Sequence, residues 1–131
     1  MNAEDLLFAE THEWVHIADS DADKVATIGI SANAVEALTD LVYMDLPAVG
    51  TEVAAGASFG EVESVKATSE MYSPVAGEIV EVNTSLPDNL EILNTDPYGA
   101  GWIIKVKMAG EEGVANLLDF TAYQKQCDEG H

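Results

Sequence analysis

The sequence predicts a mainly β fold carrying short helices. Two observations lead there: short runs rich in β-branched residues, and glycine and proline punctuation at or between the ends of those runs. Stretches with helical spacing are brief and interrupt the strands at only three places. At 131 residues the chain suits one compact domain, long enough for a single core and too short for a second fold of similar size. The expected unit is residues 1–131, with a C-terminal helical extension from about residue 113.

Taken in order, residues 13–17 and 25–30 are the first expected strands, separated by the turn residues Asp19, Ser20 and Asp21. Ser31 or Asn33 is placed to cap a short helix in which Ala34, Val35 and Leu38 share one face. Strands follow at 41–46, 58–64, 68–73 and 77–82, with Pro47, Gly50, Gly56, Pro74 and Gly77 as punctuation. Pro87 and Asp88 suit the first turn of a brief helix through Ile92, closed before Asn94-Thr95-Asp96-Pro97. A last strand is expected at 102–107. Residues 113–127 read as one broken helix or two short ones, with Leu117, Phe120, Tyr123 and Cys127 at compatible intervals.

Composition excludes several function classes. With 24 Asp and Glu against five Lys and no Arg, the formal net charge is -19, which repels phosphate backbones and argues against nucleic acid. Such a surface supports solubility and speeds encounter with partners that present basic patches. No run approaches the roughly 18 consecutive apolar residues of a membrane span, so no membrane partner is expected. The first eight residues lack the basic start and apolar core of a signal peptide and the arginines of a transit peptide. Cys127 stands alone and cannot form an internal disulfide. The expected location is a bacterial cytoplasm.

His12-Glu13-Trp14-Val15-His16 matches the pattern of zinc proteases. That chemistry needs a helix, where residues i and i+4 stand one turn apart and can share a metal. Trp14, Val15 and Ile17 with the following turn read instead as a strand, in which residues four apart lie about 13 Å from each other. No metal is therefore expected. Phosphate-binding glycine loops and the nucleophile elbow are absent, and carboxylates such as Glu61 and Glu63 read as a solvated face. An enzyme assembled from these parts is possible but unmotivated.

Lys66 is the conspicuous residue. It stands between strand-like runs at 59–65 and 68–73, at or beside a hairpin tip. Small neighbours, Ser64, Ala67 and Ser69, leave its amine open to an enzyme that attaches a cofactor. On these residues alone an ordinary surface lysine is the favoured reading, since most exposed lysines carry no special role.

Glu63-Ser64-Val65-Lys66-Ala67, followed by Tyr72-Ser73-Pro74-Val75-Ala76-Gly77-Glu78-Ile79-Val80-Glu81-Val82-Asn83, resembles the lipoyl-lysine hairpin of glycine cleavage H proteins. Thr11-His12-Glu13-Trp14-Val15, Ala26-Thr27-Ile28-Gly29-Ile30, Asp45-Leu46-Pro47-Ala48-Val49-Gly50 and the block from Asp96 to Val106 resemble the same family in the same order. Biotinyl domains typically flank their lysine with methionines, whereas Lys66 has Val65 and Ala67. Lipoyl domains of keto-acid dehydrogenases typically read Asp-Lys-Ala, and here Val65 precedes the lysine. Two departures stand out: Asn33 where many members have a histidine near the folded-back arm, and Thr39-Asp40 where many have Gly-Asp.

The resemblance implies a lipoyl-domain-like barrel-sandwich hybrid of two small sheets with short peripheral helices. It implies lipoic acid attached covalently to Lys66, recognition of Glu63 by the attaching enzyme, and docking of the loaded arm near Glu13, Thr11 and Asn33. It further implies a monomeric, non-catalytic carrier that serves a glycine decarboxylase, an aminomethyltransferase and a dihydrolipoyl dehydrogenase besides lipoate-attaching enzymes. A lipoate relay, donating lipoyl groups to other acceptor domains, is the alternative within the same resemblance. For Glu13, a plain surface strand position is the other reading, because acidic side chains are mostly exposed.

Overall fold

Apolar residues at alternate positions form strands that bury one face against a second sheet. The computed structural model describes residues 6–9, 12–20, 23–38, 41–65, 67–96, 98–108 and 117–128. Its strands are β1 (Leu7–Phe8), β2 (Glu13–Ser20), β3 (Asp23–Ile30), β4 (Leu41–Asp45), β5 (Glu52–Val53), β6 (Ser58–Ser64), β7 (Thr68–Tyr72), β8 (Gly77–Val82) and β9 (Ile104–Met108). They form a six-stranded sheet in the order β1-β2-β3-β9-β8-β5 and a three-stranded sheet in the order β4-β6-β7. All pairings are antiparallel.

The expected strands are present, those at 58–64 and 77–82 with the same bounds. β1 and β5 were not anticipated, since two residues each are too short for an alternation to be read. Helix α1 (Ala32–Leu38) starts on Ser31, whose hydroxyl accepts the Ala34 N–H at 3.2 Å. Ser31 is therefore the cap, and Asn33 falls inside the helix.

The helix expected at 87–92 is a correction. Leu86–Asp88 makes only a 3₁₀ turn, because Asn89 leaves the helical region with φ -142°. Leu90 thereby turns into the core, and helix α2 (Ile92–Thr95) begins where the expected helix was to end. At the C-terminus, residues 109–116 lie outside the described ones, so the first part of the expected extension does too. Leu118 is extended rather than helical, exchanging backbone hydrogen bonds of 2.7 Å with Phe8 in both directions. Helix α3 (Phe120–Asp128) then starts with Asp119, whose carboxylate accepts the Ala122 N–H at 2.8 Å.

The large sheet buries residues on both faces, on the second at its β1–β2 end. Val15, Ala26, Ile28, Ile79, Ile104 and Val106 meet Met44, Phe59, Val62 and Met71 of the small sheet in the main core. Leu6, Phe8, Trp14 and Tyr123 form a separate aromatic cluster that receives α3. Neighbouring residues of β2 thus serve opposite faces, Val15 the first and Trp14 the second. Phe8 and Tyr123 stack with centroids 4.4 Å apart, which fixes α3 against β1.

Gly29 lies opposite Trp14 in the β2–β3 pair, and a Cβ there would stand 2.6 Å from the indole. Gly29→Ala is expected to cost about 1–3 kcal/mol through overpacking. Urea unfolding should show a lower midpoint at unchanged slope. An unchanged midpoint would mean that Trp14 yields without loss.

Candidate functional site at the hairpin tip

β6 and β7 pair as a hairpin whose last register pair is Glu63 with Thr68. Beyond it Ser64 closes the turn: its backbone N–H donates to the Ala67 carbonyl at 2.8 Å. The Ser64 hydroxyl donates to that carbonyl and accepts the Ala67 N–H, each at 3.2 Å. One small polar residue therefore satisfies both backbone groups of Ala67, which holds the tip without any bulky side chain. Between them in the chain are Val65, 67% exposed, and Lys66, which lies outside the described residues. Ala67 and Thr68 are also exposed. An acyl group joined to a lysine in this turn fits, because Val65, Ala67 and Thr68 on either side of that position are all exposed.

Glu63 is half-buried, flanked by Tyr43 of β4 on one side and Thr68 of β7 on the other. Glu13 is not a surface strand residue: it is only 2% exposed. Its carboxylate accepts the backbone N–H of Tyr72 at 3.3 Å, joining the large sheet to the small one. Tyr72 is four steps along β7 from Thr68, so Glu13 stands about 14 Å down the hairpin from its last strand pair. Tyr72 donates its hydroxyl to Glu70 at 3.0 Å. That bond, the Glu70 charge, burial and the more distant Glu13 charge together raise the phenol above its ordinary pKa.

His12 precedes β2 in the left-handed region, φ 79°, and its N–H closes a turn on the Ala9 carbonyl at 3.0 Å. Its ring Nδ1 lies 2.6 Å from the Tyr123 hydroxyl, which lies 2.6 Å from the Ser31 hydroxyl. Burial lowers the His12 pKa. The Ser31 N–H donates to the His12 carbonyl at 2.8 Å, so Glu13 and the start of α1 are neighbours. Asn33 sits in the first turn of α1; its side chain and the whole of Thr11 lie outside the described residues. The 13–16 stretch is extended, so His12 and His16 do not share a helix face. Among the described residues no three metal-ligating side chains cluster.

Sequence reasoning missed the network through Tyr123, whose partners are 92 and 111 residues away. Helical spacing marked Tyr123 as an inward residue but carried no signal for its hydroxyl. It also missed Tyr98, whose hydroxyl accepts the Ala32 N–H at 3.0 Å at the start of α1.

Two antiparallel sheets around one core, with a hairpin whose tip is closed by small residues, define a barrel-sandwich domain of the lipoyl type. The model of the glycine cleavage H-protein family matches residues 6–130, and the chain belongs to that family. The glycine cleavage system H protein of Rhodopirellula baltica is 61% identical over 124 residues, covering 95% of this chain and 93% of its own. That of Laribacter hongkongensis is 48% identical over 122 residues, covering 93% and 94%. The crystal structure of a glycine cleavage system H protein from Mycobacterium marinum superposes with a TM-score of 0.84 at 44% identity, covering 95% of this chain and 98% of its own.

Proposed function

We propose that the chain is the lipoate-bearing shuttle of glycine cleavage, with lipoic acid amide-linked to Lys66. The observation that carries this reading is the tip turn held between Ser64 and Ala67, with Val65 exposed beside the lysine. When bound, the group supplies a disulfide–dithiol couple able to carry an aminomethyl unit derived from glycine. The residues of the chain tether, present and shelter it. Lys66 holds the arm at high effective concentration near each successive active site. Glu63, at the end of β6, offers the attaching enzyme a carboxylate three residues before the lysine. Glu13, with Thr11, receives the amine of the loaded arm, and Asn33 takes the place of the histidine that many family members have near it. The partners on this reading are glycine decarboxylase, aminomethyltransferase, dihydrolipoyl dehydrogenase and the lipoate-attaching enzymes. The chain itself acts as a monomeric, non-catalytic carrier in a bacterial cytoplasm.

The deciding experiment is glycine–bicarbonate exchange. The lipoylated protein should support exchange by a glycine decarboxylase, and the unlipoylated protein should not. A lipoylated protein that supports no exchange but still passes lipoyl groups to acceptor domains would be a relay instead.

A further inference from the structure

Among the described residues four large apolar side chains are exposed: Val42, Tyr43, Val49 and Val65. Three of them gather at one end of the small sheet. Val65 is in the tip turn, Tyr43 is opposite Glu63, and Leu41, next to Val42, is opposite Ser64. Val42 is the extra residue where the register shifts between Leu41 and Tyr43. Regular alternation would turn one of two consecutive residues inward. The bulge leaves both Val42 and Tyr43 outside while Met44 still reaches the core. β4 is also an edge strand, and among the described residues nothing buries Val42 or Tyr43.

The polar part of the same face is acidic. Asp45 of β4, Glu61 of β6 and Glu70 of β7 lie in one row across the sheet, next to the row of Tyr43, Glu63 and Thr68. Like charges directly opposite each other are destabilising, so this row costs the isolated fold stability. It complements a partner that brings lysine and arginine.

We propose that Val42, Tyr43 and Val65 form a docking face for the enzyme that attaches the acyl group to Lys66, received there by an apolar pocket rimmed with basic side chains. The inference rests on Lys66 being the modified residue. In that reaction an activated acyl donor loses its leaving group as an amide forms to the Lys66 nitrogen, which gives up a proton. The enzyme's reactive centre must come within the reach of one bare lysine stem, so its body must press on the surface around the tip. Proteins that act at the far end of a long acyl arm have no such constraint. This favours the attaching enzyme as the occupant of a patch adjoining the turn.

The test compares unlipoylated parent, Val42→Thr/Tyr43→Ser and Val49→Thr as substrates of a lipoate ligase with ATP and lipoate, by mass gain at Lys66. Loss of a central apolar anchor should lower kcat/KM about tenfold or more in the double variant, through KM rather than kcat. Val49→Thr, equally apolar but beyond the other end of β4, should match the parent. Added salt should lower kcat/KM for the parent. Both substituted side chains are exposed, so thermal unfolding should be unchanged; Val65→Ser, outside any strand, supplies an independent reading if it is not. Parental kcat/KM in the double variant, an equal loss in Val49→Thr, or a concentration-dependent dimer that only the double variant abolishes would each overturn the docking face. A parent that gains no mass at Lys66 would overturn the carrier reading and this face with it.

Discussion

Lys66→Arg should gain no lipoyl mass under conditions in which the parent gains one group per chain. Arginine keeps the positive charge and most of the length, but its guanidinium stays protonated above pH 12 and offers no free amine to an acyl donor. The turn should persist, because Ser64 and Ala67 close it through their own backbone groups and the Ser64 hydroxyl. Intact-mass measurement after incubation with a lipoate ligase, followed by peptide mapping, checks this directly. A mass gain surviving in the variant, or mapped to Lys105 or Lys107 of β9, would refute the assignment. Those lysines have a different setting: Lys105 is 3.6 Å from Glu81 and 5.1 Å from the Trp102 ring centroid, on the large sheet.

The second large effect is expected at Glu13. Glutamine there keeps an oxygen for the Tyr72 N–H and removes the charge, so the sheets stay joined while the attraction for an amine is lost. A charge-assisted contact is worth about 1.5–3 kcal/mol, which is about a tenfold to hundredfold change in rate. Glu13→Gln should therefore lipoylate as the parent does, yet release formaldehyde at least about tenfold faster once loaded with the aminomethyl group. Equal release rates would remove Glu13 from arm docking and leave Lys66 as carrier untouched. Asn33→His belongs in the same assay: slower release would show that a histidine at this position makes a contact that asparagine lacks.

Much of this molecule follows from the order of its residues. The strands at 58–64 and 77–82 were legible to the residue because β-branched runs and punctuation agree there. The candidate tip was legible for the same reason, since two strand-like runs separated by small residues leave only a short turn between them. Family resemblance then assigned that tip a chemistry that the residues alone left open between a cofactor lysine and an ordinary one.

Where local preference was weak, the reading drifted. Pro87 and Asp88 suit a helix start, but burying Leu90 required the chain to leave the helical region at Asn89, and the helix moved to Ile92. Leu117 and Phe120 share helical spacing, yet Leu118 satisfies its backbone groups better by pairing with Phe8 than by continuing a helix.

By itself the sequence determined the class of fold, the place of the hairpin and the lysine at its tip, because strand periodicity and turn chemistry are properties of near neighbours. Only the tertiary structure decided that Glu13 is buried against Tyr72, that Tyr123 ties His12 to Ser31, and that a bulge holds Val42 and Tyr43 outward beside the tip. Each of those joins residues from different strands or helices. Their hydrogen bonds and burial exist only once the two sheets have closed on one core, and no local spacing encodes which distant partner will be there.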